Sequence, residues 1–263
     1  MHLRLRILLL PLMCIFSSAC IAQSTVTITS DADDLSRPIS ALLDQLRQRE
    51  HISVTYEDPR YSNGADIEDV TEQVARNVSD AEKKLHRILV PRGRAISFVY
   101  APDDLRAPDG AKATIARMLR EYRLLGGPTF NVVRDGKRLH VVPEDRLDVK
   151  GNRIKQNSIL DTIISIPAKQ RDGGELLQAI CDEVKKQSGY EIGVGPSAPS
   201  NNLARYVTTE GISKQTAENA VENLLDRLGA PDSFDWDLYY DPGDKAYGLN
   251  FNYIGPAQGP TSE

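Results

Sequence analysis

The chain has 263 residues, 40% of them hydrophobic, which is enough to bury a core for one large domain or two small ones. Its 37 Asp+Glu against 32 Lys+Arg, interspersed rather than blocked, argue against nucleic acid or an anionic lipid surface as a partner. Of three cysteines, Cys14 and Cys20 lie near the N-terminus, so a mature chain with Cys181 alone excludes a disulfide-stapled scaffold.

Residues 1–22 are expected to be a signal peptide. Arg4 and Arg6 form a positive start, and Ile7 to Phe16 is an apolar run broken only by Pro11. The small residues Ser17-Ser18-Ala19 follow. Cleavage after Ala22 starts the mature chain at Gln23. Cleavage after Ala19 leaves Cys20 first, and only such a lipidated Cys20 would tie the protein to a membrane. An exported chain, periplasmic or extracellular, is the expectation in either case. Removing Arg4 and Arg6 from 32 Lys+Arg leaves 30 against 37 Asp+Glu, or about −7.

The predicted fold class is α+β: two similar small units in tandem, each a sheet with two helices. The first unit covers residues 23–143. A strand runs over Ser24 to Thr29, and Asp31, Asp33 and Asp34 lie in the polar stretch after it. A helix over Arg37 to Arg49 carries the apolar stripe Ile39/Leu42/Leu43/Leu46. Ile52, Val54 and Tyr56 alternate in a second strand that ends at Asp58-Pro59. An insertion over residues 60–93 comes next, with a helix opened by Ser79-Asp80-Ala81-Glu82. Ile96, Phe98 and Tyr100 form another strand. The helix with stripe Ile115/Met118/Leu119/Tyr122 stops at Gly126-Gly127-Pro128. Phe130 and Val132 then pair across Asp135-Gly136 with Leu139 and Val141 as a hairpin.

Residues 144–158 read as a polar link. The second unit, 159–255, repeats the order. Ile164 and Ile166 form a strand, and Lys169 to Gly174 is polar. A helix spans Glu175 to Gln187 with Leu176/Leu177/Ile180/Val184 on one face. Tyr190, Ile192 and Val194 alternate, and the helix with stripe Val221/Leu224/Leu225/Leu228 stops at a left-handed Gly229. The closing hairpin runs Phe234, Trp236, Leu238, Tyr240, then back through Tyr247, Leu249, Phe251 and Tyr253. Its loop, Asp241-Pro242-Gly243-Asp244, suits a type II turn. In the segment between, Tyr206-Val207-Thr208 is the only strand expected. Residues 256–263 form a disordered tail.

Chemistry-bearing motifs are few. His51, His86 and His140 lack a ligand-like partner spacing, so no metal site and no cofactor are expected, and structural or solvated roles are assigned to each. Asp31/Asp33/Asp34 lacks the glycine and closing Glu of a calcium loop. No nucleophile elbow is present. Asp103/Asp104 and Asp235/Asp237 are paired carboxylates, but the latter fall on the polar face of an alternating strand. Trp236 is expected in the core, with Tyr239 on the opposite face as the best exposed contact. Cys181 is expected to be a small buried hydrophobe.

The repeated unit resembles the short N-terminal (STN) module of secretins and TonB-dependent receptors, over the second unit directly and over the first once residues 60–93 are set aside. The resemblance is carried by Leu176-Leu177-Gln178-Ala179-Ile180, then Gly189-Tyr190-Glu191-Ile192-Gly193-Val194. The helix Ala217 to Leu228-Gly229 and the hairpin Asp235 to Tyr253 extend it. It implies a non-catalytic envelope module that contacts another protein. The alternative is an exported glycan-binding protein or hydrolase using Asp235, Asp237 and Tyr239, or the Asp31–Asp34 cluster.

Overall fold

The computed structural model describes residues 24–30, 37–76, 79, 83, 87–136, 138–229 and 233–255. The expected signal peptide, the Asp31/Asp33/Asp34 cluster, His86, the expected tail and nearly all of the helix expected from Ser79 lie outside these residues. The chain is α+β, as its periodicities predict. No helix among the described residues is long and apolar enough to cross a membrane.

The first half runs β1 (Val26–Thr29), α1 (Pro38–Glu50), β2 (Val54–Glu57), β3 (Ile67–Asp69), α2 (Thr71–Val74), β4 (Leu89–Pro91) and β5 (Ser97–Tyr100). It continues with α3 (Pro102–Arg106), α4 (Gly110–Leu124), β6 (Phe130–Asp135) and β7 (Arg138–Pro143). Residues 144–158 are more than a link. They fold as the hairpin β8 (Asp145–Leu147) and β9 (Arg153–Lys155). Gly151 takes φ +85° in its turn, and Asp148 accepts from the backbone N–H groups of Lys150 and Asn152.

The second half runs β10 (Ile163–Ile166), β11 (Arg171–Asp172), α5 (Gly173–Ser188), β12 (Glu191–Val194), α6 (Ser200–Arg205), β13 (Val207–Thr208) and β14 (Ile212–Thr216). It ends with α7 (Ala217–Leu228), β15 (Phe234–Asp241) and β16 (Ala246–Tyr253). Helix α5 starts two residues before its expected position because Asp172 and Glu175 form a reciprocal capping box. Gly189 closes it in the left-handed region, φ +75°. Gly229 does not cap α7 that way; its φ of −163° is extended. The last hairpin is not built on a type II turn either. Gly243 has no positive φ, whereas Lys245 has φ +55°. Asp241 instead holds the loop by accepting from Gly243 and Asp244.

Order and pairing recur between the halves. Strand β1 is antiparallel to β5, and β10 to β14. The segment Tyr206-Val207-Thr208 contributes β13, which pairs with β11. Strand β2 lies parallel to β7, which pairs with β6; β12 lies parallel to β16, which pairs with β15. The halves do not keep separate sheets. Strand β15 also runs parallel to β2, giving one six-stranded sheet in the order β12-β16-β15-β2-β7-β6.

Alternation then places two cores on opposite faces of that sheet. One gathers α1 and α4 over Val54, Tyr56, Val132, Leu139 and Val141. The other gathers α5 and α7 over Ile192, Trp236, Leu238, Tyr247 and Leu249. At the junction the polar faces of β2 and β15 are thus each covered by the other half's helices, while that of the edge strand β6 stays exposed.

Trp236 is fully buried, as its alternation predicts, and its ring lies 6.2 Å from that of His140. Truncating it removes a large side chain from a site walled by both halves. Trp236→Ala should cost about 3–5 kcal/mol of stability, read as a lowered denaturant midpoint.

Candidate functional site

The seam between the halves concentrates the buried charge. On the α1 side, Arg47 is almost fully buried although its neighbours in the helix are Leu43 and Leu46. Its guanidinium donates to both Asp237 oxygens (2.5 and 3.1 Å), to the Val54 carbonyl (2.7 Å) and to Asp44. Burial opposes its charge, but Asp237, Asp44 and Asp235 outweigh that and hold its pKa above the ordinary value.

Strands β15 and β2 share only two backbone register pairs, and a carboxylate closes each end. Asp235, from the second half, accepts from the Val54 N–H (2.8 Å) and the Ser53 hydroxyl (2.7 Å) of the first. Asp58, from the first half, accepts from the Tyr240 N–H (2.9 Å) of the second and from Arg37 Nε (2.7 Å). Burial pushes Asp235 up to about 6, with Arg47, Ser53 and the Val54 N–H pulling it back.

These contacts decide the expectations for the hairpin. Asp235 and Asp237 have no exposed surface, and both are engaged in the seam. Tyr239 is not an open contact: it is half-buried, with its hydroxyl bonded to Ser40 and Asp237 and its ring under Arg37. The alternation was legible, but its polar face is turned to the other half instead of to water. Asp103 and Asp104 lie in the first turn of α3, where Asp103 pairs with Arg106. His51 is exposed and caps α1 with φ 52°. Cys181 is buried in the second core, and burial pushes its thiol up to about 12.

The opposite face of the seam holds the second cluster. His140 on β7 is buried, and its Nδ1 lies 2.9 Å from the Thr55 hydroxyl and 3.1 Å from Glu218 Oε1 on α7. Its Nε2 lies 3.6 Å from Glu222 Oε1, one turn further along α7. One ligand atom each from His140, Glu218 and Glu222 fits within 4.8 Å, so these three could hold a metal ion. Burial pushes Glu222 up to about 7, with His140 and Arg138 opposing. Burial opposes the His140 charge, yet Glu218 and Glu222 raise its pKa. Beside them Glu57 is fully buried; neither oxygen has a partner at good hydrogen-bond geometry, although the Ser158 hydroxyl and the Ile159 backbone lie close enough to favour its charged form. The cluster opens into a cavity of about 730 Å³ lined by β6, β7, the β8–β9 hairpin, His140, Asp161 and Glu218. Sequence reading passed over it because its members come from both halves. The i, i+4 carboxylates of α7 were the available signal.

No family model, no curated protein and no solved structure matches this chain.

Two measurements follow from the buried charge. Arg47→Met leaves Asp237 uncompensated and should cost about 3–5 kcal/mol, while the double change with Asp237→Leu should recover much of it. Glu57 is pushed from 4.5 to about 8, chiefly by burial, with the Ser158 hydroxyl opposing and Asp161 and Glu218 adding to the rise. The folded chain thus keeps a proton that the unfolded chain releases. Glu57 then contributes stability that is full below its unfolded pKa and falls as pH rises toward its folded one. Glu57→Gln should flatten the stability profile between those values by up to about 1.4 kcal/mol per pH unit, measured by urea unfolding across the range.

Proposed function

We propose that this protein is a non-catalytic contact module of the cell envelope that takes a partner segment as an added strand on the β6 edge of its sheet. The observation that carries this reading is the surroundings of β6. It ends the six-stranded sheet and pairs, among the described residues, with β7 alone. Cavities flank it on both faces. The 730 Å³ cavity reaches Asn131, Val133 and Asp135, and a second of about 220 Å³ reaches Phe130, Asn131 and Val132. Strand addition needs this combination: backbone groups for pairing, and pockets on alternate sides for the incoming side chains. Val133 is 42% exposed and offers an apolar contact on the larger cavity. The chain uses the same mode internally, where β15 adds to β2. The other edge, β12, is shorter, and its Glu191 is tied to Lys185.

The export-type N-terminus and the resemblance to STN modules agree with an envelope location and a protein partner. The rival reading, a glycan-binding protein or hydrolase working through Asp235, Asp237 and Tyr239, has less support because these groups are committed to the seam.

Wild-type protein and Val133→Lys should be compared in capture from envelope extract, with amide exchange mapped on the complex. The charge on an exposed edge position should leave folding intact and weaken capture by about 10-fold or more. Amides of residues 130–135 should gain protection on binding. Protection confined elsewhere, or glycan or peptide turnover lost on Asp237→Asn with folding intact, would overturn the proposal.

A further inference from the structure

The geometry points to a divalent transition-metal site formed by His140, Glu218 and Glu222, on which neither half alone could converge. The decisive feature is a pair of buried atoms that face each other without bonding. His140 Nε2 and Glu222 Oε1 are both buried, and neither makes a hydrogen bond. They stand 3.6 Å apart. That is long for a hydrogen bond. It is close to the separation of two ligand atoms that share one ion, roughly 3.4 Å for bonds of about 2.1 Å at a tetrahedral angle. A cation between them would satisfy both.

The remaining geometry agrees. Thr55 Oγ1 sits on the other ring nitrogen at 2.9 Å, which fixes the ring plane as outer partners of ligand histidines do. Glu218 and Glu222 lie one helical turn apart on α7 and bracket the imidazole, Glu218 Oε1 at 3.1 Å from Nδ1 and Glu222 Oε1 at 3.6 Å from Nε2, with one ligand atom from each of the three residues within 4.8 Å of the others. Glu57 is fully buried within electrostatic reach of Glu218, with the Ser158 hydroxyl and the Ile159 backbone beside it, and is not counted among the ligands. The cavity gives an entry path, and its wall is acidic. Among the described residues that line it, Asp135, Glu144, Asp145, Asp161 and Glu218 outnumber Arg153, which is paired with Asp145, and Lys155; outside the cavity wall, Arg138 stands 3.9 Å from the other oxygen of Glu222. An imidazole with carboxylates suits Zn²⁺, Co²⁺ or Mn²⁺, and disfavours Mg²⁺, which prefers all-oxygen octahedral shells.

The test uses the full chain, stripped with a chelator and dialysed. Co²⁺ is titrated with visible d–d absorption as the readout, and Zn²⁺ by calorimetry with Mg²⁺ in excess. The expected result is one equivalent bound, unaffected by Mg²⁺. Glu222→Gln and Glu218→Gln keep the shape of the side chain, and each should abolish the Co²⁺ spectrum. Thr55→Val should weaken binding by about 10–100-fold. His140→Gln is compared by circular dichroism as well, since this position is part of the packed seam. No stoichiometric binding by the wild type would overturn the site. So would equal binding by folded Glu222→Gln, which would place the metal elsewhere in the chain. Capture of a partner at β6 is read separately, so failure of one proposal leaves the other standing or falling by its own measurement.

Discussion

A guanidinium buried away from water must be neutralised on every side, and Arg47 is neutralised only when both halves of the chain are present. Asp44 comes from its own helix, but Asp237 and Asp235 come from the final hairpin. The polar faces of β2 and β15 follow the same logic. Each would meet water in an isolated unit, and each is covered by the other half's helices. The sheet continues across the seam through very few backbone bonds. Its strength there rests on side-chain carboxylates that capture N–H groups across the junction. Such a seam specifies register strongly, because a one-residue slip would separate every charge from its partner.

The four long helices α1, α4, α5 and α7 were legible because their apolar stripes recur at the helical period, and the structure buries those stripes; the short helices α2, α3 and α6 carry no such stripe and were not. The Asp135-Gly136 hairpin was legible from turn chemistry, and Gly136 takes φ +53°. Strand β14 was not. Ile212-Ser-Lys-Gln-Thr has little apolar alternation, and its pairing with β10 is broken by an irregularity. The seam was also invisible, for a deeper reason. Asp235, Asp237 and Tyr239 have the pattern of a solvent-facing strand edge, and alternation says which residues share a face, never what covers that face. His140, Glu218 and Glu222 escaped for the same reason: their proximity is created by the seam.

The two halves also show how one helix position can serve opposite ends. In α1 the sequence Leu42-Leu43 is followed at the same spacing by Leu46-Arg47, and in α5 Leu176-Leu177 is followed by Ile180-Cys181. The same turn of helix carries a cation in one half and a small apolar thiol in the other. Only the first faces a strand from its neighbour. The second is enclosed in its own core. Equal pattern has therefore been turned to unequal use, and the asymmetry leaves β6 and β12 as the outer strands.

The place of β15 in the sheet has a consequence for how the chain is made. It lies third in a six-strand order, yet in the chain it follows every other strand of that sheet except β16. Synthesis delivers β2, α1 and β7 long before their neighbour exists. Until it arrives, β2 has an open flank, and Arg47 lacks Asp235 and Asp237. Loop closure over such a span makes folding slow. A nascent first half with an unpaired strand is also a template for wrong partners. Docking of β15 onto β2 is thus the step that commits the sheet, and a chain truncated before Phe234 would accumulate as a sticky intermediate instead of a smaller folded domain.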